Sequence, residues 1–157
     1  MIGEMFIGID PGTHCGWAVL DPAGSVRGAG TWHLDNRAGD GAGMRYLRFE
    51  RLLRELLATF PHGPVAYELV SAHKGADAAH VYGGLVAIVT RLCEELARPY
   101  TGAAVGTVKK YATGKGNSNK VAMMDAAAER WAPNGHERDD NEADALWIAE
   151  VLRLGLV

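Results

Sequence analysis

The stretch Phe6-Ile7-Gly8-Ile9-Asp10-Pro11-Gly12-Thr13-His14-Cys15-Gly16-Trp17-Ala18-Val19-Leu20 decides the fold class. Met5 to Asp10 reads as an apolar strand that runs into a Pro11-Gly12 turn, and Gly16 to Asp21 reads as a second strand. Asp21-Pro22-Ala23-Gly24 supplies the next turn, and Val26 to Leu34 the third strand. Three consecutive strands on short turns make an antiparallel meander. Asp10 falls where strand meets turn, so its carboxylate is offered beside the sheet rather than inside its core. Gly12 is expected to take an unusual backbone angle, and Gly16 to let the hairpin pass close to whatever site Asp10 serves.

Further along, a Gly- and Asp-rich loop, 36–43, precedes a helix over Met44 to Phe60, with Leu53, Leu56, Leu57 and Phe60 at helical spacing. Arg45, Arg48, Arg51 and Arg54 form a drifting polar row, either a solvated face or a set of phosphate contacts. Val65 to Val70 is a short apolar strand interrupted by Glu68. Asp77 to Leu96 is a long helix with one apolar row (Val81, Leu85, Ile88, Leu92, Leu96) and a second apolar side (Tyr82, Val86, Val89, Cys93). A helix apolar on two sides needs two neighbours. It is either the central helix of the domain or one shared between core and dimer interface, with Gly83 and Gly84 allowing close approach. Pro99 to Val105 reads as a strand, Val108 to Ala112 as a short helical turn, and Asn119 to Trp131 as a helix packing through Val121, Met124, Ala128 and Trp131. Pro133-Asn134-Gly135 separates it from a last helix, Asp140 to Leu154, with Ala143, Leu146, Trp147, Val151 and Leu154 on its apolar side. The order implies one mixed α/β domain over 1–157, flanked by helices, without repeats or linkers.

At 157 residues and 48% apolar, the chain suits a single compact core. Its net charge of −3 gives no global attraction for nucleic acid, so any DNA surface must be local. Charge is clustered: Lys109, Lys110, Lys115 and Lys120 fall within twelve residues, and Glu137, Asp139, Asp140, Glu142 and Asp144 within eight. Cys15 and Cys93 form no spaced pair, which argues against a disulfide framework or cysteine-rich zinc site, and Cys15 is expected in the hairpin core. Trp17, Trp131 and Trp147 are expected to pack. His14, His33, His62, His73, His80 and His136 make no metal-ligand spacing set, although His14 and His73 each follow an acidic motif and could approach DNA. No signal segment and no membrane span are expected. The expected location is cytoplasmic or nucleoid-associated, or the host cytoplasm for a phage-encoded chain.

The acids carry the chemistry. Glu68 in Val65-Ala66-Tyr67-Glu68-Leu69-Val70 would be costly to bury unless paired or metal-bound. Asp140 and Asp144 share a helix face at four-residue spacing, and Asn141 and Asp144 at three. Like charges so placed repel by roughly a few tenths of a kcal/mol, which a divalent cation reverses. Hard oxygen ligands without thiolates point to Mg²⁺ or Mn²⁺. Two such ions can activate water and stabilise the leaving oxygen in attack on a phosphodiester. For Asp140, capping of the helix N-terminus is a rival role.

The run Phe6 to Leu20 resembles the opening motif of RuvC-type Holliday-junction resolvases, especially short phage-encoded ones. Glu68-Leu69-Val70-Ser71-Ala72-His73-Lys74-Gly75-Ala76-Asp77 looks like their second acidic motif. The run from Val108 to Val121 looks like their lysine-containing segment, and Asp139-Asp140-Asn141-Glu142-Ala143-Asp144-Ala145-Leu146 like their closing acidic motif. These motifs occur in order across nearly the whole chain. The resemblance implies an RNase H-like fold, a homodimer, and paired nicking of four-way DNA junctions with Mg²⁺, or Mn²⁺ in its place, at two ions per site. It places Asp10, Glu68 and Asp144 at ligand positions. The fourth position falls on Asn141, and Asp140, one residue away, is the expected ligand, with Asn141 as a neutral ligand or substrate contact.

Lys109 and Lys120 match the family's basic residues near the scissile phosphate, where cations stabilise developing charge. Lys110 and Lys115 are expected to contact flanking backbone, with Ser71, His73 and Lys74 on the same DNA path. Ser71 stands where the family carries an aromatic wedge, which implies looser selectivity extending to forks or flaps. Gly114-Lys115-Gly116 lacks a full phosphate-loop pattern and assigns no nucleotide. Two other readings stay open: a junction-binding architectural protein without efficient chemistry, suggested by Ser71 and Asn141, and a fragment of an actin-like or sugar-kinase fold, whose second lobe would not fit in 157 residues.

Overall fold

The computed structural model describes residues 3–132 and 138–157, so the Pro133-Asn134-Gly135 separator, His136 and Glu137 lie outside the described residues. Strands β1 (Phe6–Asp10), β2 (His14–Leu20) and β3 (Val26–His33) form the expected meander. Then follow α1 (Met44–Thr59), β4 (Val65–Leu69), α2 (Ala76–Glu95) and β5 (Tyr100–Ala104). Helices α3 (Val105–Thr113), α4 (Lys120–Trp131) and α5 (Asp140–Arg153) complete the chain. The sheet order is β3-β2-β1-β4-β5. Antiparallel pairing of β1 with β2, and of β2 with β3, gives way to parallel pairing of β1 with β4 and of β4 with β5.

Strand alternation sends residues to two separate cores. Ile7, Ile9, Cys15, Val19 and Val65 face α1 and α2. Ala18, Leu20, Ala66 and Ala103 face α3, α4 and α5. The central helix is α5, not α2. Every residue from Ala145 to Leu152 is buried, because α5 lies flat on the sheet and is covered by α4. Glu150 is buried within it and is held by Arg153 at 2.7 Å and Arg130 at 3.5 Å. Two glycines permit the contact. A Cβ on Gly8 would stand 2.3 Å from the Ala145 carbonyl oxygen, and one on Gly16 would stand 1.9 Å from that of Asn141.

Helix α2 departs from the expected faces. Leu85, Val89, Leu92 and Cys93 are buried together, so Val89 and Cys93 belong to the core rather than to a second side, and Leu96 is exposed. The cover comes from α1, not from α4 or α5: a Cβ on Gly84 would lie 2.5 Å from the Tyr46 ring. In α4 the buried row is Met123, Ala127 and Trp131, while Val121 is exposed and Ala128 faces solvent. Leu154 is likewise exposed beyond the end of α5. Helix α3 follows β5 directly and is longer than the expected turn. It ends at Gly114, whose φ of 82° and N–H to the Lys110 carbonyl make Gly114 a left-handed helix cap rather than part of a phosphate loop.

Gly12 is not among the glycines with positive φ, so the first turn needs no unusual angle there. Cys15 is fully buried, as expected, and Trp131 and Trp147 pack at 4.5 Å between ring centroids. The α1 arginines are engaged within the chain: Arg48 with Asp40, Arg54 with Glu50 and Glu95, Arg51 with Glu55, and Arg45 donating to the Leu34 carbonyl. Among the described residues, no helix is long and apolar enough to cross a membrane.

Candidate active site

β1 and β4 are parallel neighbours with Ile9 opposite Tyr67, so the next step along each strand sets Asp10 beside Glu68 at their carboxyl ends. Both project to the face covered by α5, as Ala66 does two residues before Glu68. The antiparallel register pairs Asp10 with Gly16, the residue that admits the first turn of α5. The same glycines that let α5 rest on the sheet therefore bring Asp140 and Asp144 to the strand ends.

The cap of α5 settles one alternative. Asp139 accepts from the Glu142 N–H at 2.8 Å and from the Thr31 hydroxyl at 2.8 Å. Capping thus belongs to Asp139, and Asp140 is free to turn its carboxylate to Lys120 Nζ at 2.6 Å. Asn141 presses its backbone against Gly16.

Electrostatics tie the acids together. Burial, then the charges of Glu68 and Asp144, holds the Asp10 carboxyl well above the usual carboxylate range. Asp10 and Glu68 share a hydrogen bond, and burial also raises Glu68, against the pull of that bond and of Lys109. The shared proton belongs to the pair. Asp144 is pushed up to about 7 by burial and by the charges of Glu68 and Asp140, with Lys109 and Lys120 opposing. Asp140 lies below its ordinary value because Lys120 donates to it, and Lys120 rises in return. Four carboxylates and two lysines therefore feel one another at the carboxyl edge of β1 and β4. An all-oxygen set carrying uncompensated negative charge fits a hard divalent cation.

The remaining expected site residues are less closely joined. Lys110 and Lys115 are exposed on α3 and the loop after it. Ser71 and Lys74 are exposed between β4 and α2. His73 packs on Tyr82 at 4.6 Å, and the Tyr82 hydroxyl donates to the Glu68 carbonyl at 2.8 Å, which braces the end of β4. A cleft of about 380 Å³ lies beside this edge, lined by Pro11, Thr13, Arg45, His73, Asp77 and Tyr82. One grouping was not anticipated. Among the described residues, the three ligand-type side chains whose ligand atoms all lie within 4.8 Å are His14, His33 and Asp35. Their spacing in sequence is silent, but the register of β2 on β3 pairs His14 with His33.

No family model matches the chain, and no curated relative matches its sequence. Solved structures do. RuvC of Thermus thermophilus bound to a Holliday junction substrate superposes with a TM-score of 0.82 at 24% identity, over 98% of this chain and 97% of that one. The chain has the RuvC fold. A second structure of Thermus thermophilus RuvC gives 0.79 at 24% identity, over 95% of each chain. The yeast mitochondrial Holliday junction resolvase gives 0.58 at 15% identity, over 94% of this chain and 78% of its own. The RuvC fold accounts for the mixed sheet, the meander and the helix laid across the strand ends.

Proposed function

We propose that the chain is a Mg²⁺-dependent endonuclease that cuts phosphodiester bonds in branched DNA, nicking four-way junctions in pairs as a homodimer. The observation that carries this is the convergence of Asp10, Glu68, Asp140 and Asp144 with Lys109 and Lys120 on one edge of the sheet. The full-length likeness in fold to a protein solved on a Holliday junction supports the choice of substrate.

Asp10, Glu68, Asp140 and Asp144 would hold the metal, up to two ions with Mn²⁺ as substitute, and Asn141 would stand beside them as a neutral contact. When bound, the metal supplies a nucleophilic water at neutral pH and stabilises charge on the phosphate. The chain's own groups do the rest. Lys109, acting on Glu68 and Asp144, and Lys120, acting on Asp140 and Asp144, place positive charge where a phosphate would enter. Lys120 is bridged to Asp140 and must swing off that carboxylate to meet substrate, which couples metal binding to phosphate binding. Ser71, His73, Lys74, Lys110 and Lys115 would contact flanking DNA.

The test is a nicking assay with four-way, forked, flap and linear duplex DNA in Mg²⁺, with EDTA controls and the Asp10→Asn variant. Structure-selective nicking that EDTA and Asp10→Asn both abolish is the expected result. Metal-independent cleavage would overturn it, and selective binding without turnover in any divalent metal would return the architectural reading.

A further inference from the structure

The hairpin of β2 and β3 carries a second constellation that the nuclease chemistry does not use. His14 opens β2 and His33 closes β3, and the two are cross-strand partners whose rings meet edge to face at 5.0 Å. Beyond them the Leu34 N–H donates to the Thr13 carbonyl at 2.7 Å, which holds the hairpin end in register. Leu34 is fully buried, so its neighbours His33 and Asp35 turn the other way, onto the side of His14. Asp35 Oδ2 lies 3.1 Å from His14 Nε2. Arg48 donates to the Asp35 backbone carbonyl at 3.4 Å, which steadies the backbone and leaves the carboxylate to the histidines.

We propose that His14, His33 and Asp35 form a binding site for a borderline transition-metal cation of the Zn²⁺ class, separate from the acidic site. Two imidazoles and one carboxylate select Zn²⁺, Ni²⁺ or Co²⁺ over Mg²⁺. With bonds of ~2.0–2.1 Å, tetrahedral ligands stand about 3.3 Å apart. His14 and Asp35 are already at 3.1 Å, and all three ligand atoms lie within 4.8 Å. The side chains are exposed, so small rotations close the remaining gap without moving the core. Three protein ligands leave at least one coordination position for water or a phosphate oxygen. By strand alternation the site faces the same side of the sheet as Gly16, which lies against α5. The ion would tie the open end of the meander to the loop that leads into α1.

This site stands apart from the nuclease reading, and so does its test. Zn²⁺ is titrated by calorimetry into the full chain in excess Mg²⁺, with Co²⁺ absorption as a second readout. One equivalent should bind to the wild type and equally to Asp144→Asn. His14→Gln and His33→Gln should each weaken binding by more than roughly tenfold, the lower end of what losing even an outer-sphere partner costs. In the wild type, the imidazole resonances of His14 and His33 should shift with Zn²⁺ while those of His62 and His80 stay put, a readout independent of how the variants fold. No Zn²⁺ binding in excess Mg²⁺ would overturn the proposal. So would binding lost in Asp144→Asn but kept in both histidine variants.

Discussion

Gly16 of β2 lies against Asn141 of α5 so closely that a Cβ would stand 1.9 Å from the Asn141 carbonyl oxygen. Backbone on backbone cannot yield as a side chain can. Gly16→Ala is therefore expected to lift the first turn of α5 off the sheet and carry Asp140 and Asp144 away from Asp10. Overpacking of this kind costs roughly 1–3 kcal/mol. The variant should lose nicking while keeping a cooperative melt at a lower temperature. Native nicking rates would show that α5 is not positioned by this contact.

Asp10→Asn separates chemistry from stability. The wild-type carboxyl is held well above its ordinary value by burial and by neighbouring acids, so it is a strained group in the metal-free fold. Asparagine keeps the shape and removes the charge. Cleavage should vanish, while the melting temperature in EDTA at pH 8 should rise or hold. A marked fall in that temperature would mean that Asp10 serves packing rather than ligation.

How much of this was readable beforehand depends on range. The meander, the strand that carries Glu68 and the helix that carries Asp140 and Asp144 follow from local pattern, because a strand end and a helix face are set within a few residues; that β4 runs parallel to β1 does not. Glu68 stood out because an acid in an apolar strand has few stable explanations. The place of α5 was not readable: a helix buried all round looks like α2 by periodicity, and only Gly8 and Gly16, far away in sequence, show which one lies on the sheet. The faces of α2 and α4 shifted for the same reason, since periodicity gives a stripe but not the neighbour that covers it. His14 and His33 are joined by strand register alone.

Stability in EDTA should fall as pH rises from about 4 to about 7. Folded Asp144 keeps its proton up to about pH 7, whereas the unfolded chain releases it near the ordinary value of 3.8. Between those limits the folded state binds more protons, so rising pH favours unfolding, and Asp10 and Glu68 act in the same direction. Asp21, Asp40, Glu50, Glu95 and Asp140 are shifted downward and lose their contribution only as pH falls through and below their ordinary values of 3.8 for aspartate and 4.5 for glutamate. The melting temperature should be higher at pH 5 than at pH 8. Asp144→Asn should flatten part of the slope, and Mg²⁺ should flatten it further by taking the place of the protons. A melting temperature that climbs from pH 5 to pH 8 would contradict the raised acids.

Lys120 is exposed and Asp140 half-buried in a pair at 2.6 Å at the protein surface, and such pairs contribute roughly 0–1 kcal/mol. Lys120→Met should leave the melt almost unchanged and sharply reduce nicking. Asp140→Asn should raise the Mg²⁺ concentration needed for half-maximal activity more than Asn141→Ala does. The opposite order would make Asn141 the fourth ligand.

Of the two glycines expected to admit a second copy of α2, Gly83 is the one left open. Gly84 touches the Tyr46 ring within the same chain, so Gly84→Glu would disrupt the packing of α2 on α1 and would report on folding rather than association. Gly83 points the other way: a Cβ there would meet nothing within 4 Å, and Ala87 one turn later is exposed. If α2 is shared between two subunits, this is the face left to share. Glutamate at an exposed helical position is favoured over glycine by roughly 0.5–1 kcal/mol, so Gly83→Glu should fold at least as well as the wild type. It should also place like charges opposite one another across a twofold axis. The expected result is a wild type that dimerises in sedimentation equilibrium at micromolar concentrations, and a Gly83→Glu chain that stays monomeric while melting no lower. Paired nicking of four-way junctions should fall with the dimer, leaving independent single nicks. A wild type that remains monomeric with and without junction DNA would remove α2 from the interface, and with it the symmetric mode of cleavage.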